Sequence, residues 1–315
     1  MTPKHLITVG LNPAIDCVLH CSGFQPGRVN VGRQLARIAA GKAGNVTRAL
    51  ALLGQDVLAL GFLGDCDWSF FKEKLHKIGP GAVACKFNLL SQATRQNITV
   101  LDGDVETHIR LKGFEVTARD IASLENILKE TVREGDAVIF SGSLPEGLAP
   151  QQFGVLLDAT LAQGAKVAVD TTGPALAVAL GKRLWIAKPN SEELAEAWGI
   201  GELQTVSAIK AAAQQRSGAV ENLVVSRGGL GAVLVRSDGC LSGSVPTEDP
   251  IIRTVSCGDH LLAGFVHGLW HGKAPAQALA EGLALATARA VSEDLEIFDS
   301  GKFSRLLPQA TVAQV

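Results

Sequence analysis

The residues best suited to chemistry form one short run, Thr254-Val-Ser-Cys-Gly-Asp259, which leads into His260-Leu-Leu-Ala-Gly-Phe-Val-His-Gly-Leu269. A small, glycine-containing turn there feeds an apolar helix predicted to begin near Gly258 or Asp259. The first N–H groups of a helix have no partner within it, and the helix dipole adds positive potential, so such a turn is an anion site. Asp259 stands at its mouth, where a carboxylate can accept the proton of an attacking hydroxyl. The plainer alternative is a first-turn acid that only stabilises the dipole. Cys257 shares the turn. Dipole and free amides are expected to lower its thiol pKa against the repulsion of Asp259, the alternative being a buried, inert small residue.

A second run, Ala40-Gly-Lys-Ala-Gly-Asn45, opens a helix read from Val46. Gly41 and Gly44 would let a ligand approach the backbone, and Lys42 and Asn45 can bond an anionic or hydroxylated ligand. It is not a Walker P-loop, because no Ser or Thr follows the lysine and the glycine spacing is absent. Four further polar clusters are Asn12-Pro-Ala-Ile-Asp16, Ser141-Gly-Ser-Leu-Pro145, Lys188-Pro-Asn-Ser-Glu-Glu193 and Ser226-Arg-Gly-Gly-Leu-Gly231. Each alone reads as an ordinary turn or cap.

The elements that would position these clusters are short apolar runs at 6–9, 57–60, 82–87, 137–140, 166–169, 184–187 and 222–225, which read as buried strands. Amphipathic stretches lie between them. Val46, Ala49, Leu50 and Leu53 recur at helical spacing and Gly54 follows as a stop; Thr117 can cap a helix carrying Ile121, Leu124, Ile127 and Leu128; Pro150 starts another that Gly164 ends. Such alternation implies a mainly parallel sheet covered on both faces, whose ligands bind beyond the carboxyl ends of the strands. Each of the four polar clusters follows one of these strands, which makes a single long cleft the better explanation. Two stretches break the rhythm, 16–37 and 95–111. The second reads as a hairpin, 97–101 and 107–111 about a turn at 102–104.

The chain has 315 residues, of which 47% are hydrophobic, so a large core needs no disulfide or metal. Lys plus Arg (29) nearly balances Asp plus Glu (31), with no basic stripe for nucleic acid or a membrane surface. The six cysteines are scattered without a CxxC pair, which fits a reducing cytosol and speaks against a zinc site. No signal-peptide run or bilayer-length apolar stretch is present, so a cytoplasmic location is expected.

Taken in order, these segments resemble the PfkB (ribokinase-like) carbohydrate kinases over nearly the whole chain, the 1-phosphofructokinase and tagatose-6-phosphate kinase branch above all. Thr8-Val-Gly-Leu-Asn-Pro-Ala-Ile-Asp16 is similar to TxTLNPAID, Gly23-Phe-Gln-Pro-Gly27 to GFxPGE, Ala40–Asn45 to GGKGxN and Thr94-Arg-Gln-Asn-Ile98 to TRxNI. Ser141–Pro145 resembles SGSLP, Lys188-Pro-Asn190 with Glu193 resembles KPNxxE, Ser226, Gly228 and Gly231 resemble SxGxxG, and Ser256–Asp259 stands where GAGD is expected. The resemblance implies a single α/β kinase domain over 1–315. That domain would be a ribokinase-like three-layer α/β/α sandwich with a mainly parallel central sheet and a small β-sheet lid from about 12–37 and 88–113. It further implies ATP and Mg²⁺, a homodimer through the lids, and no nucleic-acid or membrane partner. By position, Asp259 is the base, and Ser256, Cys257 and Gly258 form the anion hole. Asp16, Gly41, Asn45 and Ser141 face the sugar, and Lys42 and Arg95 neutralise its existing phosphate. Lys188, Asn190 and Glu193 lie near the ATP phosphates and Mg²⁺, which has no protein-only site, and Ser226, Gly228 and Gly231 lie by the nucleotide.

The sequence departs from the pattern at several points. Alanines stand at 40 and 43 for glycines, Ser256 and Cys257 replace the first glycine and the alanine of GAGD, His260 replaces a small residue, and Arg110-Leu-Lys-Gly-Phe114 replaces an acidic turn. If Ser256 must hold a positive φ it carries strain that glycine would avoid. The function implied is phosphorylation of a hydroxyl of a sugar phosphate, fructose 1-phosphate or tagatose 6-phosphate. A PfkB kinase for an unphosphorylated sugar or nucleoside is the alternative, and a weakly catalytic sugar- or nucleotide-binding regulator is the alternative of another class.

Overall fold

The structure, a computed structural model, describes residues 4–76, 78–216 and 218–315. In chain order the elements are β1 Leu6–Gly10, β2 Ala14–His20, β3 Arg33–Ala40, α1 Lys42–Leu52, β4 Val57–Gly64, α2 Trp68–His76, β5 Val83–Leu90, β6 Arg95–Asp102 and β7 Val105–Arg110. Then follow α3 Ala118–Thr131, β8 Ala137–Ser141, α4 Pro150–Leu161, β9 Lys166–Asp170, α5 Gly173–Leu180, β10 Leu184–Ala187, α6 Ser191–Trp198, α7 Val206–Arg216 and β11 Val220–Ser226. The last are β12 Ala232–Arg236, β13 Gly239–Ser244, α8 Cys257–Trp270, α9 Pro275–Ala290, α10 Ser300–Leu306 and β14 Thr311–Gln314.

Among the described residues the main sheet has ten strands, ordered β14-β13-β12-β11-β10-β9-β8-β1-β4-β5. It is parallel from β11 to β5, where helices make the crossovers, and antiparallel from β11 to β14. Side chains alternate between its faces, as pleating requires. Val138 and Phe140 of β8 join a core with α3 to α7, while Ala137 and Ile139 join one with α1, α8, α9 and α10. Those two cores are the outer seams of a three-layer α/β/α sandwich. Neighbouring β1 and β8 lie where the strand order turns outward in both directions, a natural place for a ligand crevice.

The stretches that broke the strand–helix rhythm build a separate four-stranded sheet, β3-β2-β6-β7. The hairpin turns at Gly103, where φ is +57°, and pairs Asn97 with Arg110. The Thr117 cap is a full capping box with Asp120. The edge strands β12, β13 and β14 were not foreseen, and α1 begins four residues before Val46. Gly41, with φ +94°, is its N-cap, so Lys42 to Asn45 lie in its first turn. Among the described residues no helix is long and apolar enough to cross a membrane.

Candidate active site

Three strand ends and two helix starts meet above the crevice. In the pairing of β8 with β9, Ser141 lies opposite Asp170, and Lys188 follows β10 with its N–H bonded to Val169. The register therefore puts Ser141, Asp170 and Lys188 side by side at the carboxyl edge. Asp170 was not singled out from the sequence. It is wholly buried, with Lys42 Nζ 3.1 Å from Oδ1 and Lys188 Nζ 3.2 Å from Oδ2. Only the Lys42 contact has hydrogen-bond geometry. A polar last residue on a buried strand was the available signal. Ser141 Oγ is buried without a partner and lines a cavity of about 20 Å³ with Asn12, Gly41 and Lys42.

The α1 and α8 helices pack on the same face of the sheet and bring their first turns together. Asn45 Nδ2 donates to Asp259 Oδ2 at 2.6 Å, and Asn45 Oδ1 accepts from the buried guanidinium of Arg48, which also donates to the Ala39 carbonyl. Arg48 thus sets the orientation of the Asn45 amide so that it presents its N–H₂ to the carboxylate. Asp259 itself is almost fully buried. Burial and then the Asp170 carboxylate raise its pKa to about 7, against the opposing influence of Asn45, Lys42 and Lys188. Burial works against the Lys42 ammonium, but the carboxylates of Asp170, Asp259 and Glu193 outweigh it and raise its pKa.

Helix α8 starts at Cys257, with Ser256 as N-cap at φ +67° and no side-chain cap. Ser256 is the one non-glycine residue with positive φ among the described residues. A residue with a Cβ in that region costs on the order of 1–3 kcal/mol. The Ser256 carbonyl accepts from the N–H groups of Asp259 and His260, while those of Cys257 and Gly258 have no acceptor among the described residues. A Cβ on Gly258 would come within 3.2 Å of Lys188 Nζ, so the ammonium and the open amides share one space.

Cys257 does not behave as its place in the helix suggests. Burial raises its thiol pKa to about 11, more than the nearby Arg289 lowers it, and its Sγ lies 3.7 Å from the Arg253 carbonyl. Desolvation, which the sequence does not reveal, opposes the dipole and the free amides here. His260 is buried neutral, its pKa pushed down to about 3 by desolvation.

Asn190 and Glu193 close on each other. Asn190 Oδ1 accepts from the Glu193 N–H at 2.7 Å, and Glu193 Oε2 accepts from the Asn190 N–H at 2.8 Å, a capping box at the start of α6. Ser226 follows through a backbone bond to Pro189. Gly228 and Gly231 both hold positive φ, and a Cβ on Gly231 would fall 2.0 Å from the Gly243 carbonyl oxygen. On the small sheet, Asn97 Nδ2 donates to Asp16 Oδ1 at 2.7 Å. Arg95 donates to the carbonyls of Asn12 and Pro13, so here it secures the turn after β1 rather than standing free.

A family model, the pfkB family carbohydrate kinases, matches residues 4–295. The chain belongs to that family. It is a carbohydrate kinase, and its relatives narrow the branch. It is 28% identical over 312 residues to a 1-phosphofructokinase of Haemophilus influenzae, covering 98% of each chain. It is 35% identical over 287 residues to a 1-phosphofructokinase of Rhodobacter capsulatus, covering 90% of this chain and 88% of the relative. A crystal structure of phosphofructokinase-2 from Escherichia coli in complex with substrates and products superposes with a TM-score of 0.87 at 24% identity. That match covers 96% of this chain and 98% of the other and agrees in fold.

Proposed function

We propose that this kinase transfers the terminal phosphoryl group of ATP to a hydroxyl of a sugar phosphate, fructose 1-phosphate first, with Asp259 as general base. The observation that carries the reading is a buried carboxylate, its pKa near 7, beside two unpaired helix amides and two ammonium groups. The sugar hydroxyl gives its proton to Asp259 as its oxygen bonds to the phosphorus, and the bond from phosphorus to the ADP oxygen breaks. Negative charge on the transferring group meets the N–H groups of Cys257 and Gly258 and the ammonium of Lys188. Asp170 favours the charged form of Lys42 and holds both Lys42 and Lys188 in place. Asp16 and Asn97 face the sugar from the small sheet, which acts as the lid.

Glu193 uses Oε2 for its cap, which leaves the other oxygen as a donor to the Mg²⁺ that travels with ATP, and Ser226 to Gly231 borders the nucleotide. Bound Mg²⁺ would neutralise phosphate charge. Exposed Val29, Val31, Val105 and Ile109, on the small sheet and its loop, support a homodimer formed through the lids.

A neutral sugar acceptor is the second reading, favoured by one observation: Lys42 pairs with Asp170 and Arg95 is spent on backbone carbonyls. ADP release measured with fructose 1-phosphate, tagatose 6-phosphate, fructose 6-phosphate, fructose and ribose decides between them. A kcat/KM highest for fructose or ribose overturns the phosphosugar reading.

A further inference from the structure

Ser256 is strained in a place where glycine would not be, and its side chain is not idle. Arg289, from α9, is 5% exposed and donates Nε–H to Ser256 Oγ at 3.1 Å. The rest of its guanidinium is spent on the segment after α9: Nη1 donates to the carbonyls of Asp294 and Ile297 at 2.7 and 3.0 Å, and Nη2 to that of Leu295 at 2.9 Å. Four hydrogen bonds fix the planar fork, so the direction of Nε–H is fixed too. On its other side Ser256 is held through its carbonyl, which accepts from His260 Nδ1–H at 2.8 Å. The His260 ring in turn rests edge-on against Phe298, centroids 5.9 Å apart. Two of the departures from the family pattern, Ser256 and His260, are therefore parts of one clamp with Arg289.

We propose that Arg289 is a positioning residue for phosphoryl transfer, locking Ser256 in its left-handed conformation and so aiming the free amides of Cys257 and Gly258. Glycine could adopt φ +67° without help but could leave it as easily. Serine reaches it at a cost, and the bond from Arg289 to Oγ makes the strained geometry the held one. The clamp acts on the N-terminal turn of α8, and the proposal rests on the reading of that turn as the phosphoryl site.

The test is a cycle of variants of the full chain, read as kcat and as KM for sugar phosphate and ATP. Arg289→Ala lowers kcat roughly 10- to 100-fold, the scale for displacing a catalytic contact by about an ångström, with either KM changed less than about threefold. In a Ser256→Gly background the same substitution costs much less, because the hydroxyl it acts through is gone. An equal loss in both backgrounds overturns the proposal and leaves Arg289 as a brace for 294–297 alone. Should Arg289→Ala not fold, Ser256→Ala against Ser256→Gly decides. Alanine keeps the strain and loses the hydroxyl, so its kcat falls below that of the glycine variant by roughly five- to tenfold. Equal kcat for the two overturns the proposal. Asp259→Asn separates the two layers. If it turns over normally, the reading of the site fails and takes the clamp with it. If it is inactive while the Ser256 and Arg289 comparisons show no coupling, only the clamp falls.

Discussion

The starts of α6 and α8 both face the crevice, and the family resemblance assigns the first to the ATP phosphates and Mg²⁺ and the second to the transferring phosphoryl group, yet they are built in opposite ways. At α6 the side chains of Asn190 and Glu193 satisfy each other's backbone N–H groups. At α8, among the described residues, no side chain caps the helix and the amides of Cys257 and Gly258 remain open. A closed cap stabilises a helix; an open one stores hydrogen-bonding capacity for a ligand at a cost in stability. Lys188 sits at the join, next to Gly258 and two residues before Asn190. A polar residue at a helix start can serve a ligand only where its hydrogen bond is not already made within the helix.

The sharpest way to break this contrast is at Asp259. Asp259→Asn, measured as ADP release, is expected to lose about 10²–10⁴ in kcat while ATP binding by calorimetry persists. Near wild-type turnover would remove the functional meaning of the open helix start.

Next in size is Lys42→Ala, which leaves one cation on Asp170 in place of two. KM for the sugar phosphate should rise about ten- to a hundredfold, matching roughly 1.5–3 kcal/mol for a charge-assisted contact, while KM for ATP moves far less. An equal rise in both would assign Lys42 to the nucleotide side.

The pH profile measures the burial that distinguishes α8. A base must be ionised to act, so kcat/KM should fall about tenfold per pH unit as pH drops below the raised value of about 7. The same shift carries a sign for stability. The folded state binds the proton more tightly than the unfolded chain, so this contribution is full below about pH 4 and is lost as pH rises through about 7. An acid limb near pH 4 would mean that Asp259 is solvated in the working enzyme.

Smaller effects sharpen the α6 side. Asn190→Ala should cost about 1 kcal/mol in urea unfolding, as caps do, with KM for ATP changed less than about threefold. Glu193→Gln keeps an acceptor for the cap and should instead raise the Mg²⁺ concentration needed for half-maximal rate. If Asn190→Ala disturbs ATP while leaving stability alone, the capping box is not what holds α6. The smallest effect expected is at Cys257. With its pKa near 11 it should alkylate no faster than exposed Cys66 under limiting iodoacetamide, read by mass spectrometry.

The strand–helix alternation, the parallel core and the hairpin are legible in the amino-acid order, because these rest on local periodicity and turn chemistry. The strands at 6–9, 57–60, 137–140, 166–169 and 184–187 all appear in the main sheet. The family is legible there too, because eight short motifs occur in order. Of the antiparallel edge, β14 is not legible there because its pairing partner lies some 70 residues back, as in Thr311 against Ser244, whereas the β12–β13 hairpin about Ser237-Asp238 is local and carried a turn signal. The electrostatics of the site arise from packing between segments distant in the chain. Asp170 gains meaning when two lysines from distant segments converge on it. Asn45 and Asp259, distant in the chain, become partners because α1 and α8 share a face of the sheet. Arg289 reaches Ser256 because α9 packs beside α8. Burial itself, which raises Asp259 and reverses the expectation for Cys257, is a property of packing, and a local pattern of residues does not carry it.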